Sequence, residues 1–305
     1  MALVAVAAQG SVEVIGLDDL PDDALVLPCG LVGAPQLADE RVFSGDEGHV
    51  LTSAFEELRA APVAALMCFE VAGPCGLLPV TWAARTGLPL VDADGAGRSF
   101  PYFHQRTMHV AGVSASPVIL TDGRGNDVVF RSAHDESADR LARGAASALG
   151  GVAAAAAYGM AAGLARRSVI PGAVSRAVEL GRAVDSSASA AEVAEALGAT
   201  VLIEGRVTDR EWGSATIDGC TRDPGRQLRI ELRDGFLVAF EEGAVKAAVP
   251  DLILVLAGDG GTPVAAGALR RGEVVSVLAA PAHGIWKTDR GLALASPRAF
   301  GYDVD

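Results

Sequence analysis

The chain has 305 residues, half of them hydrophobic, which is enough for about two packed domains. Its formal net charge of −13 leaves no basic face for phosphate contacts, which argues against a nucleic-acid partner. Its four cysteines lack metal-ligand spacing and its five histidines are scattered, so we expect neither a zinc site nor a disulfide framework.

The first part of the chain alternates short apolar runs with segments of helical spacing. The patterns predict strands at residues 12–15, 24–27, 63–67 and 88–91, and helices at residues 47–60 and 77–85. Strands that alternate with helices are typical of an α/β domain with a largely parallel or mixed sheet. No P-loop, nucleophile elbow or dinucleotide-binding glycine pattern occurs, so we expect no cofactor.

The middle of the chain is richer in turns and small residues. Short strands are predicted at residues 107–110, 117–120 and 127–130, followed by a helix at 136–149. Residues 144–165 carry no charge but consist mainly of Ala and Gly, which are only weakly apolar. We therefore expect this run to pack inside the protein rather than to cross a membrane, and we expect a cytoplasmic location.

The second half of the chain changes to a β pattern after two further helices at residues 176–183 and 190–197. Six strands separated by Asp- and Gly-rich turns are predicted at residues 200–203, 214–217, 227–232, 236–241, 252–256 and 274–278. This pattern predicts a β-rich domain, either a sandwich or a barrel. We therefore divide the chain into an α/β domain at residues 1–166 and a helical connector with a β-rich domain at residues 167–305.

Two carboxylates stand directly after the apolar run at residues 88–91. Asp92 and Asp94 alternate along an extended chain, so we expect them to face the same side. Polar groups beyond such a strand occupy the position where open α/β sheets bind ligands. Gly95 allows the backbone to approach a substrate closely, and Arg98 can pair with an acid or grip an anionic substrate. The alternative is an ordinary turn whose acids only cap the next element.

Two more strand ends carry reactive groups. Cys29 follows the predicted strand at residues 24–27, and Glu70 follows the one at 63–67. Because neighbouring strands lie about 4.8 Å apart, the shared sheet edge would bring Glu70 and Asp94 within reach of one substrate. Two close carboxylates acquire separated pKa values, which suits one of them to act as an acid and the other as a base. An acid that ends a buried strand is otherwise costly unless it is paired.

Further candidate residues surround the acidic turn. Cys75 precedes a predicted helix, and a helix N-terminus can ionise a thiol, so Cys75 and Cys29 are candidate nucleophiles. Each cysteine could instead be a small buried apolar residue. His104 is a candidate acid or base, with a surface role as the alternative. The remaining candidates are predicted to bind substrate, and they are Gly33, Gly73 and His283.

Several strings of residues occur in an order that resembles a known family. They lie at residues 33–35, 40–41, 70–73, 92–101, 112–117, 170–172, 177–183, 249–253 and 296–303. The most specific are DADGAGRSFP at residues 92–101 and SPRAFGYD at residues 296–303. Together they resemble the DUF917, or S-methyl thiohydantoin desulfurase-like, family over nearly the whole chain.

The resemblance implies a two-domain enzyme that replaces the methylthio group of a five-membered thiohydantoin ring and releases methanethiol. In that chemistry an acid would protonate the ring nitrogen or the departing thiolate, and a base would activate water. The chain lacks the run of glycines that usually precedes the first strand in the family, and residues 233–235 replace a polar string. These departures imply a diverged member of the family.

Three functions remain open from the sequence. The first is an enzyme that uses Glu70, Asp92 and Asp94, with Arg98 placing the substrate, for hydrolysis and desulfurisation or for a biosynthetic cyclisation or elimination. The second is a non-catalytic protein that binds a small molecule or partners an enzyme subunit. The third is a metal-dependent hydrolase using the three acids and His104, because carboxylates suit Mg²⁺ or Mn²⁺. We expect a small-molecule substrate, no metal and no membrane or nucleic-acid partner, and the sequence is compatible with a homo-oligomer.

Overall fold

The computed structural model describes residues 11–34, 37, 43–185, 189–233, 235–258 and 261–304. The chain divides into two compact units, an N-terminal unit (Met1–Ser175) and a C-terminal unit (Arg176–Asp305). The boundary expected after residue 166 stays a prediction. Of the strings that carry the family resemblance, residues 35 and 40–41 lie outside the described residues, as does residue 234.

A mixed sheet forms the centre of the N-terminal unit. Its strands are β1 (Val14–Ile15), β2 (Leu25–Gly33), β3 (Val63–Cys68), β4 (Leu90–Asp94), β5 (Val118–Thr121), β6 (Asp127–Phe130), β7 (Val152–Ala156), β8 (Met160–Ala161) and β9 (Ile170–Pro171). The lateral order is β1-β4-β3-β2-β7-β5-β6, with β8 beside β2 and β9 beside β4. Strands β1, β4, β3 and β2 run parallel, whereas every other pairing is antiparallel. The predicted α/β domain with a mixed sheet is therefore confirmed.

Helices cover both faces of this sheet. They are α1 (Glu47–Arg59), α2 (Gly73–Thr86), α3 (Thr107–Val110), α4 (Asp135–Ala148) and α5 (Ala162–Ala165). Helix α6 (Ala173–Asp185) starts at the end of the N-terminal unit and continues into the C-terminal unit, where Leu180 and Val184 pack. Side chains alternate across a strand, so Leu66 packs with Phe55 and Trp82 from α1 and α2 on one face. Met67 packs on the other face in a cluster that includes Ala142 of α4. Burial on both faces explains why the strands are continuous apolar runs.

The run of small residues at 144–165 contributes to the centre of this sheet. Strand β7 consists of Val152 and four alanines, and all of its residues are buried. The expectation that this run packs inside the protein is therefore confirmed. Among the described residues, no helix has the length and apolar character needed to cross a membrane.

Two sequence-based predictions in the N-terminal unit are wrong. Residues 107–110 form the one-turn helix α3 rather than a strand. The Val110 amide donates to the Arg106 carbonyl, and the Ala111 amide donates to the Thr107 carbonyl. Strand β2 does not end before Pro28 but continues to Gly33, so Cys29 lies within a strand. Pro28 has no N–H to donate, and on this side of β2 it lies between two pairings. Strand β8 pairs with residues 25–26 of β2, and β7 pairs with residues 29–33.

The C-terminal unit is built on one antiparallel sheet. Its strands are β10 (Thr200–Glu211), β11 (Ser214–Gly219), β12 (Gln227–Leu232), β13 (Phe236–Glu241), β14 (Ala244–Ala248), β15 (Leu252–Ala257) and β16 (Val274–Ala280). They are ordered β14-β13-β12-β11-β10-β16-β15. Strands β13 and β15 contact each other although four strands separate them in this order, so the sheet curls into a half-barrel. The predicted β-rich domain is confirmed, and β14 is an addition to it.

Two helices belong to the C-terminal unit alone, α7 (Ala190–Leu197) and α8 (Asp289–Ala295). Helix α7 begins at a capping box, in which Ser189 accepts a hydrogen bond from the Glu192 amide and Glu192 accepts one from the Ser189 amide. Its apolar face packs on Leu256 and Leu278 of the sheet. Burial of this face, rather than the intrinsic propensity of eight residues, stabilises so short a helix.

Candidate functional site at the edge of the parallel strands

Three of the sequence-selected strands lie side by side. Strand β3 is flanked by β2 and β4, and all three are parallel. Cys29 of β2 is paired with Cys68 of β3, and Cys68 is paired with Asp94 of β4. Glu70 follows β3 by two residues. The prediction of a shared sheet edge is confirmed for the ends of β3 and β4, whereas Cys29 lies inside β2, four residues before its end.

Glu70 is buried at this edge and fully engaged. Its Oε1 accepts a hydrogen bond from Ser99 Oγ at 3.1 Å, and its Oε2 accepts one from the Phe100 amide at 3.1 Å. The guanidinium of Arg106 lies 3.1 Å from Oε2, and both side chains of this ion pair are at most 7% exposed. Burial raises the pKa of the Glu70 carboxyl above its usual range, and Arg106 offsets only part of that rise.

Asp94 organises the two loops that leave the edge. Its Oδ2 accepts a hydrogen bond from the Val71 amide at 2.9 Å, after β3. Its Oδ1 accepts hydrogen bonds from the amides of Ala96 and Gly97 at 3.2 and 2.8 Å, in the turn after β4. Burial raises the pKa of Asp94, against the lowering effect of these amides. The charge of Asp94 in turn adds to the raised pKa of Glu70.

Arg106 is a site residue that the sequence analysis missed. Besides the ion pair with Glu70, its Nη1 donates to the carbonyls of Phe100 and Gln105, each at 3.2 Å. Its guanidinium lies 6.0 Å from the centre of the Phe69 ring. The sequence carried only an indirect sign of Arg106, since a buried carboxylate such as Glu70 requires a nearby cation.

Arg98, which was expected to grip an acid or an anionic substrate, is also largely buried. Its guanidinium lies 5.0 Å from the centre of the Phe100 ring, and its Nε donates to the Ser99 carbonyl at 3.5 Å. Both neighbours belong to the segment that binds Glu70. Arg98 therefore packs against the loop that holds the Glu70 carboxylate.

Asp92 and Asp94 serve different parts of the chain. Asp92 Oδ1 accepts hydrogen bonds from the amides of Val174 and Ser175 at 2.9 and 3.0 Å, and its Oδ2 accepts one from Ser175 Oγ at 2.6 Å. Asp94 binds only the loops beyond β3 and β4. The two carboxylates therefore share no partner in the part of the chain that the structure describes, although both were expected to face one substrate.

The candidate thiols are held in their protonated form. Cys29 is buried, and burial raises the pKa of its thiol well above the usual value. Cys75 lies in the first turn of α2 as expected, and its sulfur accepts a hydrogen bond from the Leu31 amide at 3.4 Å. Burial nevertheless raises the pKa of Cys75 to about 12. The cost of removing the thiolate from water therefore exceeds the stabilisation that the helix N-terminus gives it. That stabilisation was the basis for expecting an ionised Cys75.

The candidate glycines satisfy constraints within the protein. Gly33 has a φ of +120°, and a Cβ there would lie 2.2 Å from the Gly151 carbonyl oxygen. A Cβ at Gly95 would lie 2.6 Å from the end of the Met108 side chain. Gly73 begins α2 with a φ of +47°, and a Cβ there would meet only open space. Gly33 and Gly95 therefore allow close packing of the chain on itself.

The two candidate histidines differ in their surroundings. His104 is half-buried and stacks on Tyr102 with ring centres 5.3 Å apart. Its Nδ1 is buried without a hydrogen-bond partner among the described residues, and burial lowers its pKa. His283 belongs to the C-terminal unit, where it is exposed and accepts a hydrogen bond from the Ile285 amide at 3.4 Å. That contact caps the short 3₁₀ helix Gly284–Lys287.

Family models match both parts of the chain. The model described as "S-Me-THD-like, N-terminal domain" matches residues 1–132, and the one described as "S-Me-THD-like, C-terminal domain" matches residues 133–305. The chain belongs to the S-Me-THD-like family. The resemblance found in the sequence strings is thereby confirmed over the whole length.

One solved structure has the same fold as this S-Me-THD-like chain. It is the X-ray crystal structure of a protein from Chromobacterium violaceum, with a TM-score of 0.85 and 21% sequence identity. The match covers 99% of this chain and 90% of that one. No curated protein matches the sequence. At this identity the likeness establishes the fold alone.

The donor set of the S-Me-THD-like site bears on the metal-dependent alternative. Within the described ranges, no group of three or more His, Cys, Asp or Glu side chains is placed to hold a metal ion. Glu70 and Asp94 direct their oxygens at N–H and O–H donors, which compete with a cation for the same lone pairs. These oxygens are therefore poorly placed to coordinate a divalent cation.

Proposed function

We propose that this S-Me-THD-like protein is a small-molecule enzyme that removes the methylthio group from an S-methyl thiohydantoin-like cyclic amide by hydrolysis. Membership of the family over the whole chain supports the substrate class. Water adds to the ring carbon that carries sulfur, and the carbon–sulfur bond then breaks with its electron pair on sulfur. The sulfur takes up one proton and leaves as methanethiol, a second proton goes to the ring nitrogen, and the ring carbon becomes a carbonyl.

The observation that carries this proposal is the burial of Glu70 at the edge of the parallel strands. A carboxyl whose pKa is raised by burial keeps a proton at a higher pH than an ordinary glutamate, so it can donate that proton to a departing thiolate. Ser99, Phe100 and Arg106 fix the orientation of the Glu70 carboxyl. Preorganisation of this kind lowers the cost of reaching the reactive geometry.

Asp94 takes a positioning role in the proposal. Its three amide partners tie the loop after β3 to the turn after β4, and Glu70 lies in that first loop. The same turn contains the segment with Ser99 and Phe100 that binds Glu70. Asp94 thus sets the distance between the Glu70 carboxyl and the segment that holds it.

Methanethiol release from a panel of S-methyl thiohydantoins tests the proposal. We expect release by the wild-type protein and a loss of at least about 100-fold in Glu70→Gln, the usual range for removal of a general acid. With its oxygen in the place of Oε2, glutamine still accepts from the Phe100 amide and Arg106, and its NH₂ group can donate to Ser99 Oγ, so the fold should persist. Glu57→Gln changes an exposed glutamate of α1 and serves as the matched control. Full activity of Glu70→Gln would rule out the assigned role.

A second candidate function is supported by one observation. The oxygens of Asp94 and Glu70 are all engaged by groups of the protein itself, which suits a non-catalytic binding protein. Such a protein would bind thiohydantoins without turnover. Binding measured by calorimetry, with no methanethiol released and stable copurification of a second protein, would favour this function over the enzyme.

A further inference from the structure

A second group of titratable side chains surrounds the first residue of α4. Asp135 is buried, and its Oδ2 lies 2.7 Å from His109 Nδ1 and 2.8 Å from the Tyr158 hydroxyl. Its Oδ1 accepts a hydrogen bond from the Ala115 amide at 2.9 Å. The carboxylate therefore faces three different donors from three separate parts of the chain. None of these residues was singled out from the sequence.

These contacts fix the proton of the His109 ring. The hydrogen bonds from His109, Ala115 and Tyr158 outweigh burial and lower the pKa of Asp135, so its side chain is a carboxylate at neutral pH. A carboxylate can only accept, and a contact of 2.7 Å therefore requires that Nδ1 of His109 carries the proton. In the neutral ring the lone pair is then left on Nε2.

The Nε2 atom of His109 is not engaged by the described part of the protein. The His109 side chain is 18% exposed, and its Nε2 makes no hydrogen bond to any residue that the structure describes. The arrangement of carboxylate, Nδ1–H and free Nε2 is the one in which a carboxylate orients a histidine base. His109 thus has the geometry of a general base whose Nε2 lone pair is not engaged by the described residues.

Tyr158 holds the arrangement in place at a cost in backbone strain. Its φ is +58°, a conformation that side chains other than glycine rarely adopt, and the residue is fully buried. The hydroxyl lies 2.7 Å from the Phe103 carbonyl oxygen as well as near Asp135. Burial, followed by the charge of Asp135, raises the pKa of Tyr158, so its hydroxyl stays protonated. Strained residues of this kind concentrate at functional sites.

His104 borders the same group. Its ring centre lies 6.4 Å from that of His109, and its buried Nδ1 has no partner among the described residues. The charged and titratable groups that act on it are Glu136, Asp139, His109 and Asp135. A buried ring nitrogen without a described partner, next to the His109 ring, is suited to bind a polar ligand, since buried polar atoms normally have hydrogen-bond partners.

The chain links this group directly to the candidate site. Arg106, which pairs with Glu70, immediately precedes α3, and His109 lies three residues later in that one-turn helix. Phe103 contacts Phe69 edge-on with ring centres 5.8 Å apart and also contacts Tyr158. The Glu70–Arg106 pair and the His109–Asp135 pair are therefore parts of one packed region of the N-terminal unit.

We propose that His109 is a second acid–base residue of the enzyme, with Asp135 and Tyr158 as its positioning residues. The assignment of a substrate rests on the proposed function. Nε2 of His109 takes a proton from the water that attacks the ring carbon. As the water oxygen bonds to the ring carbon, the electron pair of the carbon–nitrogen double bond moves onto the ring nitrogen. The new hydroxyl gives its proton to that nitrogen as the carbonyl forms, and the carbon–sulfur bond breaks with its electron pair on sulfur. Protonated Glu70 supplies the proton that completes methanethiol. His109 and Glu70 then return to their starting states by proton exchange with solvent. This step needs no oxidant or reductant.

The sharpest variant is His109→Asn. The asparagine amide nitrogen can take the place of Nδ1 and still donate to Asp135, whereas nothing replaces Nε2. We expect the variant to fold and to lose at least about 100-fold in kcat with KM largely unchanged. His134→Asn removes an exposed histidine at the N-cap of α4, where asparagine is also a good cap, and should leave the rate unchanged. Wild-type kcat in His109→Asn would overturn the proposal.

A spectroscopic readout separates this proposal from the proposed function. Ring nitrogen chemical shifts of ¹⁵N-histidine-labelled protein, assigned by comparison with His109→Asn, report which nitrogen carries the proton. We expect protonated Nδ1 and unprotonated Nε2 in the neutral ring of His109, whether or not thiohydantoins are substrates. Protonated Nε2 would overturn the proposal. If His109 has the expected tautomer but no methanethiol is released, the proposed substrate is wrong and the assignment of His109 as a base is supported.

Discussion

The buried ion pair between Glu70 and Arg106 predicts a large and pH-dependent loss of stability when Arg106 is replaced by methionine. Both side chains are at most 7% exposed, so Arg106→Met leaves an uncompensated carboxylate in the protein interior. Removal of one partner from a buried pair typically costs about 3–5 kcal/mol. Phe100 and Gln105 would each lose a donor to their carbonyl oxygens as well. We expect a loss at the upper part of this range near pH 8.

The sign of the pH dependence follows from the direction of the pKa shift. Burial already raises the pKa of Glu70 in the folded protein, and loss of Arg106 raises it further. The folded state then binds more protons than the unfolded state between the ordinary and the raised pKa, so stability falls as pH increases through that window. The penalty of Arg106→Met should therefore be smaller at mildly acidic pH, where Glu70 is protonated.

Urea titration read by hydrogen–deuterium exchange of peptides from β3 and β4 measures this free energy in the N-terminal unit. Arg140→Met, which changes an exposed arginine of α4, should stay within about 0.5 kcal/mol of the wild type. The double variant Glu70→Gln/Arg106→Met should recover part of the loss, because no buried charge remains. A loss under about 1 kcal/mol at both pH values, or one independent of pH, would refute the reasoning.

Three further predictions concern packing and ionisation. Gly33→Ala should destabilise the protein by about 1–3 kcal/mol in urea unfolding, because its Cβ would strike the Gly151 carbonyl at a positive φ; no change would contradict the close approach. Glu47→Ala should cost about 1–3 kcal/mol, because the buried indole N–H of Trp82 loses its acceptor at 3.1 Å. Thermal unfolding checks this, and an unchanged midpoint would count against it. Cys75 should react with iodoacetamide slowly at neutral pH, since its pKa is about 12; rapid alkylation of the folded protein, mapped by mass spectrometry, would contradict its burial.

Much of the fold could be predicted from local sequence patterns. Strands β6, β12 and β13 and helix α7 have the bounds that apolar periodicity and turn residues indicate. The failures lie where tertiary contacts override the local pattern. Pro28 and two glycines suggested that β2 ends early, but its antiparallel partners extend it to Gly33. The apolar run at residues 107–110 has the composition of a strand, yet it forms the one-turn helix that follows Arg106.

The candidate site could be predicted only in part. Strands that alternate with helices indicate a parallel sheet, so the proximity of the ends of β3 and β4 follows from the sequence. The partners of Glu70 do not follow, because Arg106 lies 36 positions later and reaches Glu70 only through the packing of Phe69. The Asp135 contacts with His109 and Tyr158 join residues 26 and 23 positions apart. Such spacing has no signature in a single sequence.

The pH dependence of methanethiol release by the wild type and Glu70→Gln tests the central claim most directly. The account predicts that wild-type activity falls as pH increases through the raised pKa of Glu70, because the acid form is lost. It also predicts that Glu70→Gln removes both that dependence and most of the rate. An identical rate and pH profile in the two proteins would contradict the assignment of Glu70 as the acid at the strand edge.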